Sequence, residues 1–93
     1  MNKNYIGKVE NMVSSNGNKV ANQFVITSRD STIFQSYDTI IAVQYSDGVL
    51  YLDREKWNYS KTTAKYRNLF TGMSTEQTKK AIKDGEIKLA DLN

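Results

Sequence analysis

Residues 39–53 read TIIAVQYSDGVLYLD. The first seven, TIIAVQY, are rich in β-branched side chains and apolar at both odd and even positions. A strand of that composition belongs inside a sheet, between two neighbours. Ser46-Asp47-Gly48 then supplies the Asp-Gly pair of a tight hairpin turn. VLYLD (49–53) is the returning strand, with Leu50 and Leu52 on one face and Val49 and Tyr51 on the other. This hairpin sets the frame for everything on either side.

Upstream the same grammar repeats. TIFQSY (32–37) reads as a short strand interrupted near Ser36, and Ser28-Arg29-Asp30-Ser31 is the turn before it. VANQFVITS (20–28) is a strand that points Phe24 and Ile26 one way, Val25 and Thr27 the other. SSNGNK (14–19) is a turn around Asn16-Gly17. YIGKVENMV (5–13) is a weaker strand, so residues 1–18 are expected to form a weak strand or stay mobile.

After Asp53 the period changes. Tyr59, Thr62, Thr63, Tyr66, Leu69, Phe70 and Met73 recur at steps of three and four, which is one face of a helix. Ser60 or Asn58 can cap its start, and Gly72 can end it. On that face Tyr66 and Phe70 meet the sheet, Trp57 fills the strand-to-helix junction, and Lys61 and Lys65 lie on another side. Ser74-Thr75-Glu76-Gln77 has the spacing of a capping box for a second helix reaching about Asp84, with Gly85 as its stop. Ala81 and Ile82 are that helix's apolar anchors. IKLADLN (87–93) is expected to lie back on the core. The fold class is α+β: a small antiparallel β-meander of three to five strands followed by two α-helices packed on one face, in a single domain over residues 1–93.

Composition restricts the chemistry. The chain has 93 residues with no His, no Cys and no Pro. Without His it lacks the usual neutral-pH general base, and without Cys it has no disulfide, thiolate or Cys-based zinc site. Asp53 and Glu55 stand two apart but show no convergence on a pocket. Ser60, Thr62 and Thr63 have no His partner. SSNGNK matches neither the P-loop nor the dinucleotide fingerprint. A non-enzymatic protein with no cofactor and no metal is expected. No apolar run reaches the length of a membrane span, and MNKNYIGKVE has no leader-like apolar region, so no membrane partner is expected.

Charge is uneven. Residues 54–83 carry eight cations and two anions, against four and five in 1–53 and one and three in 84–93. The eight, Arg54, Lys56, Lys61, Lys65, Arg67, Lys79, Lys80 and Lys83, are the candidate binding residues of a basic surface. Such a surface can take nucleic acid. It can also take a small anionic nucleotide, for which Ser74 at a helix start beside Lys79 is the place to look. Tyr37, Asp38, Tyr45, Tyr51, Trp57 and Tyr59 are candidate anchors for a protein partner, because Tyr and Trp are enriched at binding hot spots. An exposed sheet edge in so small a domain also favours a homodimer.

NQFVI (22–26), FQSYDTIIA (34–42), GVLYLD (48–53), WNYSKTTAKYRNLF (57–70) and IKLADLN (87–93) resemble a family of small, largely uncharacterised proteins of bacteriophages that infect Gram-positive hosts. The first twenty residues do not carry the resemblance. It implies a phage origin and action in the host cytoplasm by stoichiometric binding. The function expected on that basis is binding and modulation of a host protein, as an inhibitor of a bacterial defence system of the anti-CRISPR type. The alternatives are nucleic-acid binding through the basic 54–83 region and capture of a small anionic nucleotide.

Overall fold

The computed structural model of the chain describes residues 7–93. Six strands form one sheet in the order β1-β2-β3-β4-β5-β6. They are β1 (Lys8–Val13), β2 (Lys19–Thr27), β3 (Ser31–Ser36), β4 (Thr39–Tyr45), β5 (Leu50–Asp53) and β6 (Ile87–Ala90). Helices α1 (Lys61–Thr71) and α2 (Thr75–Lys83) lie between β5 and β6 in sequence. The first four pairings are antiparallel, and β5 with β6 is parallel.

The α+β class and the order of meander then helices match expectation, but six strands exceed the three to five anticipated. Two segments account for the difference. Residues 8–13, part of the doubtful N-terminal stretch, pair with β2 as a regular antiparallel strand, broken only between Asn11 and Val13. Residues 1–6 lie outside the described residues. IKLADLN is not a segment laid over the core: its first four residues extend the sheet beside β5. A parallel neighbour needs a long crossover, and the two helices supply it.

The core lies on one side of the sheet. Phe34, Ile41, Ala42, Leu50, Leu52 and Ile87 pack with Tyr66 of α1 and Ala81 of α2. Phe34 stacks on Phe70 of α1, with ring centroids 5.8 Å apart. The β3–β4 register skips Ile41, since Phe34 pairs with Ala42 and Gln35 with Ile40. A bulge there lets both Ile41 and Ala42 reach the core.

Helix ends follow the local code. Ser60 accepts a hydrogen bond from the Thr63 N–H, and Gly72 closes α1 at φ 77° with its N–H on the Asn68 carbonyl. Only glycine adopts that left-handed turn without steric cost. Ser74 and Gln77 form a complete capping box on α2. The helical face is narrower than the periodicity suggests. Tyr59 precedes the helix, and Leu69 is 57% exposed. At about 100° per residue Leu69 falls roughly a quarter of a turn from the line of Thr63, Tyr66 and Phe70.

A candidate protein-binding rim

At one end of the sheet three irregular segments meet: the β3–β4 turn at Tyr37 and Asp38, the 54–60 loop, and the tail after β6. Asp53, the last residue of β5, joins two of them. Its Oδ1 accepts from the Leu92 N–H at 2.9 Å and from Asn93 Nδ2 at 3.2 Å. Its Oδ2 accepts from the N–H groups of Lys56 at 3.0 Å and Glu55 at 3.3 Å. Burial alone raises the carboxyl's pKa, but these donated hydrogen bonds outweigh it and leave the pKa below the ordinary value. Asp53 is therefore an organiser. Its lone pairs are committed, so the Asp53–Glu55 pair offers no free acid–base dyad.

Asn93 completes the junction. Its side-chain amide accepts from the Ile40 N–H at 2.7 Å and donates to the Ile40 carbonyl at 2.9 Å. One side chain thus occupies both backbone groups of Ile40, as a neighbouring strand would. Arg54 Nε bonds Asp91 at 3.2 Å and pins the tail from the other side. The result is an open cleft of about 470 Å³ bordered by Asp38, Thr39, Glu55, Lys56 and Asp91, with Asp53 and Asn93 in its lining.

Tyr37 precedes Asp38 of the cleft lining in the β3–β4 turn. It is 52% exposed and has φ 57°. A left-handed backbone costs an aromatic residue about 1–2 kcal/mol. Two hydrogen bonds hold it there: the Tyr37 N–H donates to the Asn22 carbonyl at 2.6 Å, and Gln35 Nε2 donates to the Tyr37 carbonyl at 2.7 Å. Asn22 is itself left-handed, at φ 66°. Across the 54–60 loop Tyr59 is also exposed, with Lys56 Nζ 5.1 Å from its ring centroid.

The eight basic candidates do not form one surface. Arg67 is fully buried, which corrects its assignment to a solvent-facing patch. It lies one helical position from Tyr66, on the flank of α1 that covers the 54–60 loop and the start of α2. Its guanidinium donates to the Trp57 carbonyl, Asn58 Oδ1, Asn68 Oδ1 and Thr75 Oγ1. Arg54, Lys79 and Lys80 are in surface ion pairs with Asp91, Glu76 and Asp84. Lys56, Lys61, Lys65 and Lys83 have no carboxylate partner among the described residues, but they are spread over the loop and both helices. At Ser74 the capping box occupies the Ser74 side chain and the Ser74 and Gln77 N–H groups, and Thr75 Oγ1 accepts from Arg67.

Of the candidate anchors, Tyr37, Asp38, Trp57 and Tyr59 come to this end of the molecule, whereas Tyr45 and Tyr51 pack edge to face on the sheet, 5.6 Å apart. Trp57 is half-buried under Arg67. The roles of Asn93 and Ile40 have no short-range sequence signal, because they stand 53 positions apart. Among the described residues no cluster of acidic side chains is arranged to hold a metal ion, and no helix is long and apolar enough to cross a membrane.

The described residues thus form a sheet-and-helix domain with a mixed-charge cleft, and the exposed Tyr37 and Tyr59 belong to the turn and loop that border it. The chain belongs to a family of unknown function, DUF8033, whose model matches residues 7–87. Nothing among curated proteins or solved structures matches it.

Proposed function

We propose that the chain is a non-enzymatic binding protein that engages a partner protein through the rim formed by Tyr37, Asp38, Glu55, Lys56 and Tyr59. The observation that carries this reading is Tyr37: a half-exposed aromatic kept in a costly backbone conformation by two hydrogen bonds. Strain of this kind persists where the surroundings over-determine it, and such positions concentrate at binding sites. Exposed Tyr beside both signs of charge suits a protein surface.

Nucleic acid is the less favoured partner. Asp38, Glu55 and Asp91 border the same cleft and repel phosphate, and the cations needed to track a backbone are dispersed or paired. A free nucleotide is less favoured again, since the α2 N-terminus is already capped. The resemblance to small bacteriophage proteins extends the proposal: a phage-encoded modulator acting in the host cytoplasm on a host protein, with a defence effector as the target class.

The test is affinity capture from host lysate with nuclease treatment, comparing the natural chain with a Tyr37→Ala, Tyr59→Ala variant. One host protein retained by the natural chain and lost by the variant supports the reading. Recovery of nucleic acid alone, or equal capture by both chains, overturns it.

A further inference from the structure

The side of the sheet away from the helices has the wrong composition for a face in water. Following the register across all six strands, Val9 pairs with Ile26, Ile26 with Ile33, Ile33 with Val43, Val43 with Tyr51, and Tyr51 with Lys88. These positions alternate with Phe34, Ala42 and Leu52, which point into the helix-side core, so the row lies on the opposite face. Phe24, Ile40 and Tyr45 flank it on the same side by the same alternation. An antiparallel sheet with one wet face normally carries polar side chains there. Here the face also carries Asn11, Ser31 and Gln35, but its charges are confined to the margins: Lys19 at the start of β2, Asp53, which the tail binds, and Lys88 on the end strand.

Among the described residues the tail reaches only the β5 end of this row, where Leu92 borders Tyr51, and neither helix lies on this side. The molecule measures 39 × 32 × 20 Å, and the short dimension holds one sheet and one helix layer only. Yet Val43 is only 7% exposed between its neighbours, while Tyr45 is 42% exposed and borders a shallow groove of about 380 Å³ with Val49, Tyr51 and Leu92.

We propose that this helix-free face packs against the same face of a second copy, giving a sheet-on-sheet homodimer. Area and composition select a second copy as the occupant. Six strands about 4.8 Å apart, each about five residues long at about 3.4 Å per residue, present roughly 500 Å² of flat area. Two such faces remove at least about 1,000 Å² from water, which reaches the lower bound for a specific interface. An interior nearly free of charge is the signature of homodimer contacts, whereas a patch built to select a different partner usually carries charges to be matched. Two sheets meeting this way pack about 10 Å apart, in the aligned geometry of a β-sandwich. The contact is through the face, leaving both the β1 edge and the rim around Tyr37 outside it.

The deciding measurement is solution mass by light scattering or sedimentation over a wide concentration range. The natural chain is expected at twice 10.6 kDa, dissociating on dilution. Tyr45→Glu adds a charge at a partly exposed position of the face, so the monomer tolerates it; it should lower the dimer affinity at least tenfold with an unchanged far-ultraviolet dichroism spectrum. Leu69→Glu on α1 and Tyr37→Ala on the rim should leave the mass unaltered. A 10.6 kDa species at every concentration overturns the proposal and reassigns the face to another partner. A dimer indifferent to Tyr45→Glu overturns it as well. Equal capture of a host protein by the natural chain and the Tyr37→Ala, Tyr59→Ala variant, with the dimer intact, would count against the rim reading alone.

Discussion

The Arg67 guanidinium lies 5.1 Å from the Trp57 ring centroid and donates to the Trp57 carbonyl at 2.7 Å. One arginine therefore binds one tryptophan through both its π-face and its backbone. No carboxylate joins them. The charge is held by neutral acceptors and by the ring, and burial lowers the Arg67 pKa.

Arg67→Lys should therefore be costly despite keeping the charge. A single ammonium cannot reach acceptors on the 54–60 loop, α1 and α2 together. Each acceptor left buried and unpaired costs about 1–3 kcal/mol. The expected loss is about 3 kcal/mol in urea unfolding, with Arg67→Met no better. A change below about 1 kcal/mol would mean that the network contributes little.

Gln23 predicts the opposite sign. It is fully buried against the helix side of the sheet, opposite Ser36, and neither Oε1 nor Nε2 has a hydrogen-bond partner. Gln23→Met keeps the length and removes the unpaired amide. It should raise stability by about 1–2 kcal/mol, read from the denaturant midpoint.

Asp53 makes stability depend on acid. Its folded-state pKa lies below the unfolded value, so its contribution is complete above the unfolded pKa, near 4, and is lost as pH falls through the folded one. Between pH 7 and pH 3 the natural chain should lose more stability than Asp53→Asn. Parallel unfolding curves for the two chains across that range would remove Asp53 from the account.

Tyr37 separates stability from binding. Glycine adopts φ 57° freely, so Tyr37→Gly should leave the fold as stable as before or up to about 1 kcal/mol more so. Partner affinity should fall by tenfold or more, as for a hot-spot aromatic. Titration of the captured host protein, alongside a thermal melt, reads both effects.

Much of this architecture is legible in the chain because its signals are local. The hairpin at Ser46-Asp47-Gly48, the Ser60 cap, the Gly72 stop and the Ser74/Gln77 box each lie within a few residues of what they control. β6 leaves little local signal, because its partner is 37 positions away and a four-residue strand has no period to display. The basic cluster misled at Arg67: charge counts along a sequence do not distinguish a wet cation from one whose stem and head are enclosed. The double apolarity of TIIAVQY marks a strand central in the sheet. It also records a second face, with Val43 opposite Ala42, that the helices do not reach.

The parallel pairing of β5 with β6 has a consequence for kinetics. Strands β1 to β5 can zip as successive hairpins, each closing a short loop. Leu50 cannot meet Ile87 until the intervening chain has wound into α1 and α2 and turned back. Closing that large loop gives little return before the helices dock, so it belongs to the slow part of the folding reaction. Substitutions that favour the two helices should speed refolding, and those that weaken the β1–β2 hairpin, formed before that step, should slow refolding and leave the unfolding rate nearly unchanged.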